Sequence, residues 1–296
     1  MDKSAFAARL RAAPLLLDGA TGTELERRGY RTAMPLWTAL SVREAGPLLR
    51  AVHGDYVQAG ADILTACTFR TTRHTLAKAG LGAEARALTI EAVSAARECA
   101  RAVDRTVLVA GSMAPLEDCY NPALTQPEET LAREHALHAH NLAEAGCDLL
   151  LIETMPTARE ASAAVRAASQ TGLPVILSLL AGPHATLYDG SQLKAAIDAA
   201  VLDCVMLVTV NCAPPAWCSQ AMPVLSACGL PFGAYANSSI PDGSFGSVPK
   251  PIAVGSFASQ ARSWLEQGAR LIGGCCGTTD AHIAALRTVI QHTEGA

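Results

Sequence analysis

Short apolar runs punctuate the chain at residues 15–17, 63–65, 107–109, 149–152, 175–177, 205–210, 232–235 and 271–272. They are continuous rather than alternating, which is the pattern of strands covered on both faces of a parallel sheet. The segments between them are rich in Ala, Leu, Glu and Arg and predict helices. Ser41-Val42-Arg43-Glu44 and Thr157-Ala158-Arg159-Glu160 match the capping box that opens a helix, and Gly60, Gly146, Gly172 and Gly268 stand where helices should close. Strand and helix alternating eight times, with no dividing linker, predict an α/β protein with one (β/α)8 barrel domain over residues 1–296. An open doubly wound sheet fits less well. The first turn, Asp18-Gly19-Ala20-Thr21-Gly22-Thr23, lacks the G-x-G-x-x-G spacing of a dinucleotide site. The one long Gly/Pro/Ser-rich stretch, residues 237–251, falls between the seventh strand and its helix, where barrels carry functional loops.

Composition narrows the partners. With 23 Lys and Arg against 27 Asp and Glu, the net charge of -4 leaves no basic surplus for a phosphate backbone, so nucleic acid is not expected. No apolar run approaches the roughly 18 residues of a membrane span, and residues 1–14 lack the apolar core of a secretion signal. A cytoplasmic protein is expected, in which the ten cysteines stay reduced and mostly act as small buried hydrophobes. Self-association into a homo-oligomer is compatible with the chain, but no sequence feature marks an interface.

A barrel builds its active site from the C-terminal ends of its strands, so the residues that end each run carry the chemistry. The first run ends Leu17-Asp18-Gly19, the fourth Ile152-Glu153-Thr154, the sixth Val210-Asn211-Cys212 and the eighth Gly273-Gly274-Cys275-Cys276-Gly277. Two acids and three thiols therefore meet on one face. Three thiolates with no fourth protein ligand suit a catalytic Zn2+ with one open position. Flanking glycines would permit the backbone angles that turn both adjacent sulfurs toward one ion. The competing readings are that Cys275 and Cys276 are core residues, or form a vicinal disulfide. Cys218, further along the helix after Cys212, is a weaker ligand candidate. Asp18 could also serve as a turn or cap acid. Glu153, ending an apolar run, would be costly to bury without a partner. His138-Ala139-His140 lies in a helical run, where alternate positions diverge by about 200 degrees and cannot share an ion. His135 and His138 read as a solvated helix face. His53, His74 and His282 fall on helices or loops without partners.

These residues resemble the zinc-dependent homocysteine S-methyltransferases, a family that includes the betaine-homocysteine and S-methylmethionine-homocysteine enzymes. The likeness is carried by Asp18-Gly19-Ala20-Thr21-Gly22-Thr23, Pro35-Leu36-Trp37, Ala59-Gly60-Ala61-Asp62, Ile152-Glu153-Thr154, Val210-Asn211-Cys212 and Gly273-Gly274-Cys275-Cys276-Gly277-Thr278-Thr279, in the family's order. It implies a zinc held by Cys212, Cys275 and Cys276, with the homocysteine sulfur in the fourth position. It further implies methyl transfer to that sulfur from a small donor, giving methionine. Asp18 and Glu153 would hold the homocysteine ammonium, and backbone N–H groups near Gly19 its carboxylate. Trp37 is a candidate cation–π partner for a cationic donor, a contact worth about 0.5–2 kcal/mol. Thr68 and Phe69 fit the family's pattern after the second strand, and Asn237 ends the seventh.

One departure concerns the donor. The betaine enzymes carry Tyr after the equivalent of Phe69, and this chain has Arg70. A fixed cation there would repel a cationic donor and disfavour betaine, unless Glu117 or Asp118 offsets it or Arg70 binds a donor carboxylate. A sulfonium donor, S-methylmethionine or S-adenosylmethionine, is favoured. Other classes stay open: a methyltransferase acting on another thiol or selenol, and a non-catalytic zinc or thiol-binding barrel. A metal store has no need of Asp18 and Glu153, whereas an amino-acid substrate does.

Overall fold

All eight apolar runs are strands of one parallel sheet in the computed structural model, which describes residues 1–238 and 252–294. The strands are β1 (Leu15–Leu16), β2 (Ile63–Ala66), β3 (Leu108–Met113), β4 (Leu149–Met155), β5 (Val175–Leu180), β6 (Val205–Asn211), β7 (Phe232–Ala236) and β8 (Leu271–Gly274). Neighbours pair in the order β1-β8-β7-β6-β5-β4-β3-β2. The ring is completed where Asp18 N–H donates to Ile63 O (3.0 Å) and Asp62 N–H to Leu16 O (2.7 Å). This is a (β/α)8 barrel. The functional loop expected at 237–251 lies, from residue 239 onward, outside the described residues.

Helix α1 (Lys3–Ala12) precedes the barrel, and its Phe6 and Leu10 pack into the same cluster as Leu15, Leu149 and Leu207. The turns after β1 carry α2 (Gly22–Arg27), α3 (Ser41–Glu44) and α4 (Gly46–Gln58). The sheath continues with α5 (Arg73–Ala77), α6 (Ala85–Ala100), α7 (Glu128–Glu144) and α8 (Ala158–Ser169). It closes with α9 (Leu193–Ala200), α10 (Pro215–Ser226), α11 (Val254–Glu266) and α12 (Asp280–Glu294). No helix among the described residues is long and apolar enough to cross a membrane.

Alternation along the strands sorts side chains into two cores. Leu15, Ile63, Leu108, Leu149, Ile176, Leu207 and Leu271 fill the barrel interior, while Leu16, Leu64, Val109, Leu150, Leu177, Val208 and Ile272 pack outward on the helices. The inward parity, carried two or four residues further, selects Thr65, Ser112, Glu153, Ser178 and Asn211. Most strands therefore run past their apolar runs; Thr65, Ser112 and Glu153 line the site cavity, while Ser178 donates to Asn211 Oδ1 (2.8 Å) beside it.

Two helix-start expectations had different outcomes. Thr157 caps α8, its side chain accepting from Glu160 N–H at 3.3 Å. Ser41 caps nothing. It sits inside the single turn of α3, buried, with its hydroxyl 3.6 Å from Cys67 Sγ, because the tertiary contact outcompetes the local one. Gly60, Gly146, Gly172 and Gly268 all adopt positive φ at helix ends, as expected.

Candidate active site

Cys212 follows β6 in a left-handed conformation, φ 54°, which breaks the strand alternation at its end. Cys275 and Cys276 follow β8, where Gly277 at φ 79° turns the chain. The expected role of the preceding glycines needs revising. Gly273 and Gly274 do not have positive φ; they are small because a Cβ would collide with Leu17 and Thr278, respectively. The turn is then pinned to the β1 loop by Gly277 N–H to Thr23 Oγ1 (2.8 Å) and Ala20 N–H to Thr278 Oγ1 (3.1 Å).

The result is three sulfurs all within 4.8 Å of one another, with Cys212 and Cys276 3.8 Å apart. They act as one acidic unit. Hydrogen bonds from Cys275 and Cys276 hold the Cys212 thiol well below the ordinary range, and the same sharing drives the other two up. Crowded thiols that stabilise one anion and suppress the next are a donor set suited to a soft divalent cation, which can neutralise all three. The structure thus gathers the three predicted ligands, and the described residues contain no other such metal-binding group. Cys218 is separate and buried, its thiol turned to the Ala213 carbonyl (3.9 Å).

The two acids lie below this cluster. Asp18 is buried, accepting Thr65 N–H at 2.7 Å on one oxygen and Thr65 Oγ1 at 2.8 Å on the other. Glu153 is buried too, accepting Ser112 Oγ at 2.5 Å and Tyr235 Oη at 3.3 Å. Burial pushes each carboxyl up to about 7, against the hydrogen bonds that partly offset it. Because both folded values lie above the ordinary carboxyl range, the pair's contribution to stability is complete below about pH 4 and is lost as pH rises through 7.

Asp18, Glu153 and the three cysteines line one cavity of about 620 Å³, together with Gly19, Trp37 and Asn237. The Gly19 amide makes no hydrogen bond among the described residues. Trp37 donates Nε1–H to Glu26 Oε1 at 3.0 Å and meets Phe69 edge-on, ring centres 5.6 Å apart. On the β3 loop, the hydroxyl of Tyr120 is 3.0 Å from Cys212 Sγ.

Thr68 and Arg70 are placed elsewhere. Thr68 does not line the cavity; its hydroxyl donates to Ser112 O and accepts Ser112 N–H, both at 3.0 Å, stitching the β2 end to β3. Arg70 is buried over the Phe69 ring, 5.2 Å from its centre, and donates to Glu117 O at 3.0 Å. Arg70 is not among the residues that line the cavity, and its Nε and Nη2 are buried without a hydrogen-bond partner among the described residues. The Glu117 carboxylate is engaged by His74 and Lys78 instead.

The helix histidines also depart from expectation. His135 and His138 are buried, not solvated: His138 Nε2 is 3.1 Å from Ser112 O and His135 Nε2 is 3.3 Å from Glu160 Oε1. That α7 face is pressed on the sheet. His74 and His282 have partners after all, Glu117 and the Ile252 carbonyl (3.3 Å), while His53 is buried with neither ring nitrogen hydrogen-bonded among the described residues. Sequence reading missed Thr65, Ser112, Tyr120, Tyr235 and Glu26. Strand parity alone would have found Thr65 and Ser112.

A three-thiol cluster and two buried acids lining one cavity at the C-terminal mouth of a (β/α)8 barrel define a barrel with a candidate metal centre at its strand ends. Comparison with known proteins gives this class its family. The homocysteine S-methyltransferase family model matches residues 15–290, and the chain belongs to that family. It is 33% identical to homocysteine S-methyltransferase YbgG of Bacillus subtilis over 92% of this chain and 93% of that one. It is 33% identical to homocysteine S-methyltransferase of Escherichia coli, covering 92% and 94%. A selenocysteine Se-methyltransferase of Brassica oleracea is 28% identical, covering 92% and 87%. The homocysteine methyltransferase MmuM of E. coli, solved in a metallated form, superposes with a TM-score of 0.83 at 32% identity, covering 95% of this chain and 99% of that one.

Proposed function

We propose that the protein transfers a methyl group from a sulfonium donor, S-methylmethionine or S-adenosylmethionine, to the sulfur of homocysteine, giving methionine. The observation that carries this is the three-thiol cluster sharing one cavity with the Asp18–Glu153 pair. Cys212, Cys275 and Cys276 would hold a zinc ion, which supplies the Lewis acidity that keeps an acceptor thiol deprotonated at neutral pH. Asp18 and Glu153 bind the acceptor's ammonium, and the Gly19 amide its carboxylate, so the acceptor sulfur is directed to the cysteine cluster. The thiolate lone pair forms the new S–CH3 bond as the donor's C–S bond breaks, its electron pair passing to the donor sulfur. Anion and cation become two neutral thioethers, so the apolar wall that Trp37 and Phe69 give the cavity favours the transition state.

Methionine formation by the zinc-loaded, reduced protein, with homocysteine and each of S-methylmethionine, S-adenosylmethionine and betaine, tests the proposal. Turnover with a sulfonium donor is expected. Turnover with none, despite one bound zinc per chain, would overturn it and direct the test to a selenol acceptor.

The raised carboxyls add a pH signature. Ammonium binding needs Asp18 and Glu153 ionised, and both protonate as pH falls through about 7. The KM for homocysteine should rise below pH 7, by up to about tenfold per unit for each group that must lose its proton. The KM for 4-mercaptobutyrate, which lacks the amine, should not share this rise. Parallel profiles for the two thiols would exclude the acid pair as the ammonium site.

A further inference from the structure

Two charged groups of opposite sign stand in the outer wall of the cavity. Glu26 and Arg27, neighbours on α2, both line it, and Arg27 is the one Lys or Arg among its described lining residues. The Arg27 side chain is 58% exposed and Glu26 is half-buried, whereas Asp18 and Glu153 are 1% and 7% exposed, so the two sets of charge sit at different depths. Both outer groups are held in place, and both keep capacity to spare. Arg27 donates from Nε (2.7 Å) and Nη2 (2.6 Å) to the buried Glu24, which leaves Nη1 without a hydrogen bond among the described residues. Glu24 is shared with Arg28, whose other acid is Asp55. Glu26 accepts from Trp37 Nε1 (3.0 Å) and Thr32 Oγ1 (2.5 Å) on one oxygen, and its other oxygen has no partner among the described residues.

Glu26 and Arg27 do not pair with each other, because adjacent positions on a helix point about 100 degrees apart. A fixed cation and a fixed anion kept apart in one wall suit a ligand that carries both charges. An α-amino-acid headgroup does so, offering a carboxylate to the guanidinium edge and an ammonium to the spare carboxylate oxygen. The acceptor's headgroup is committed to the deeper acids. In-line transfer places donor and acceptor sulfurs on opposite sides of the moving methyl, so the rest of the donor extends away from the acceptor, toward the more exposed wall.

We infer that Glu26 and Arg27 form a second α-amino-acid site, which holds the headgroup of the methyl donor: Arg27 takes its carboxylate and Glu26 its ammonium. The two are then specificity-determining residues that favour S-methylmethionine and S-adenosylmethionine over sulfonium donors without a headgroup. The assignment rests on the sulfonium-donor reading above, and its test is chosen to separate the two.

The test compares wild type, Arg27→Gln and Glu26→Gln as zinc-loaded proteins. Arg28 still holds Glu24 in the first variant, and Gln keeps an acceptor for Trp37 and Thr32 in the second. Binding of S-methylmethionine is measured by calorimetry with the acceptor site filled by homoserine, which lacks the thiol. Methyl transfer to homocysteine is measured with S-methylmethionine and with trimethylsulfonium, which has no headgroup. Expected in each variant is an S-methylmethionine Kd about fivefold weaker, as for one partly exposed charge-assisted contact. The ratio of kcat/KM for S-methylmethionine to that for trimethylsulfonium should fall by the same factor, while the homocysteine KM and the zinc content stay within about twofold. An unchanged S-methylmethionine Kd in either variant overturns the site, as does a homocysteine KM that moves as far as the donor constants. Weakened S-methylmethionine binding in both variants, with no methyl transfer by any of the three proteins, would sustain the site and sink the donor reading. Methyl transfer with an unchanged donor ratio would do the reverse.

Discussion

Cys276→Ala is expected to lose the bound zinc and to lower methionine formation by at least about 1,000-fold, equivalent to about 4 kcal/mol of transition-state stabilisation. The geometry gives the reason. Cys276 Sγ is 3.8 Å from Cys212 Sγ, and all three sulfurs fall within 4.8 Å of one another, so the set cannot close around an ion with one member missing. The fold should survive. Cys276 is only partly buried and makes few demands on the core, whereas Cys212 is buried and sits in strained backbone at φ 54°. Metal content by mass spectrometry, thermal melting in the presence of chelator, and turnover separate these effects. A variant that keeps stoichiometric zinc would remove Cys276 from the ligand set. A chelator-treated wild-type protein should match the variant's residual rate and recover on adding zinc.

The second large effect concerns the acid pair. Glu153→Gln should raise the homocysteine KM by about 30- to 150-fold, a loss of about 2–3 kcal/mol for one partner of a buried, hydrogen-bonded charge pair. Gln keeps the volume and can still accept from Ser112 and Tyr235, which hold Glu153 in place. Asp18→Asn should act in the same direction. It also disturbs the paired hydrogen bonds from Thr65, so its melting temperature is expected to fall further than that of Glu153→Gln. The decisive control is a thiol without an amine. With 4-mercaptobutyrate both variants should retain wild-type constants within about threefold, because no ammonium is left to bind. Loss of activity toward every thiol alike would assign the acids to the scaffold instead.

Much of the site was legible because it obeys local rules. Cys275-Cys276 between glycines, Cys212 after an apolar run and Glu153 ending another all lie at strand ends, and a barrel brings every strand end to one mouth. Asp18 followed from the same rule, whereas the role of Gly19 came only from the family resemblance. What escaped was direction. Thr68 lies only two residues beyond β2, yet its hydroxyl turns to Ser112, 44 positions away, rather than to the cavity. Arg70 turns behind Phe69 to the β3 loop, 47 positions away. Neither choice is encoded near those residues.

The same distinction covers the helices. Period and capping placed them, but His135 and His138 are buried because α7 packs that face on the sheet, and hydrophobicity alone could not orient a face that mixes imidazole with Leu and Ala. Glu26 was invisible for a related reason: a carboxylate on the short helix α2 comes to line the cavity, bonded to Trp37, only once the loop after β1 has folded back on itself. The sequence by itself determined the eight strands, the thiol set and the acids, since these depend on short-range alternation and on which residues end a run. Only the tertiary structure decided which neighbouring polar groups face the cavity, because that depends on contacts between segments distant along the chain, where an unmet hydrogen bond costs more than a local preference can repay.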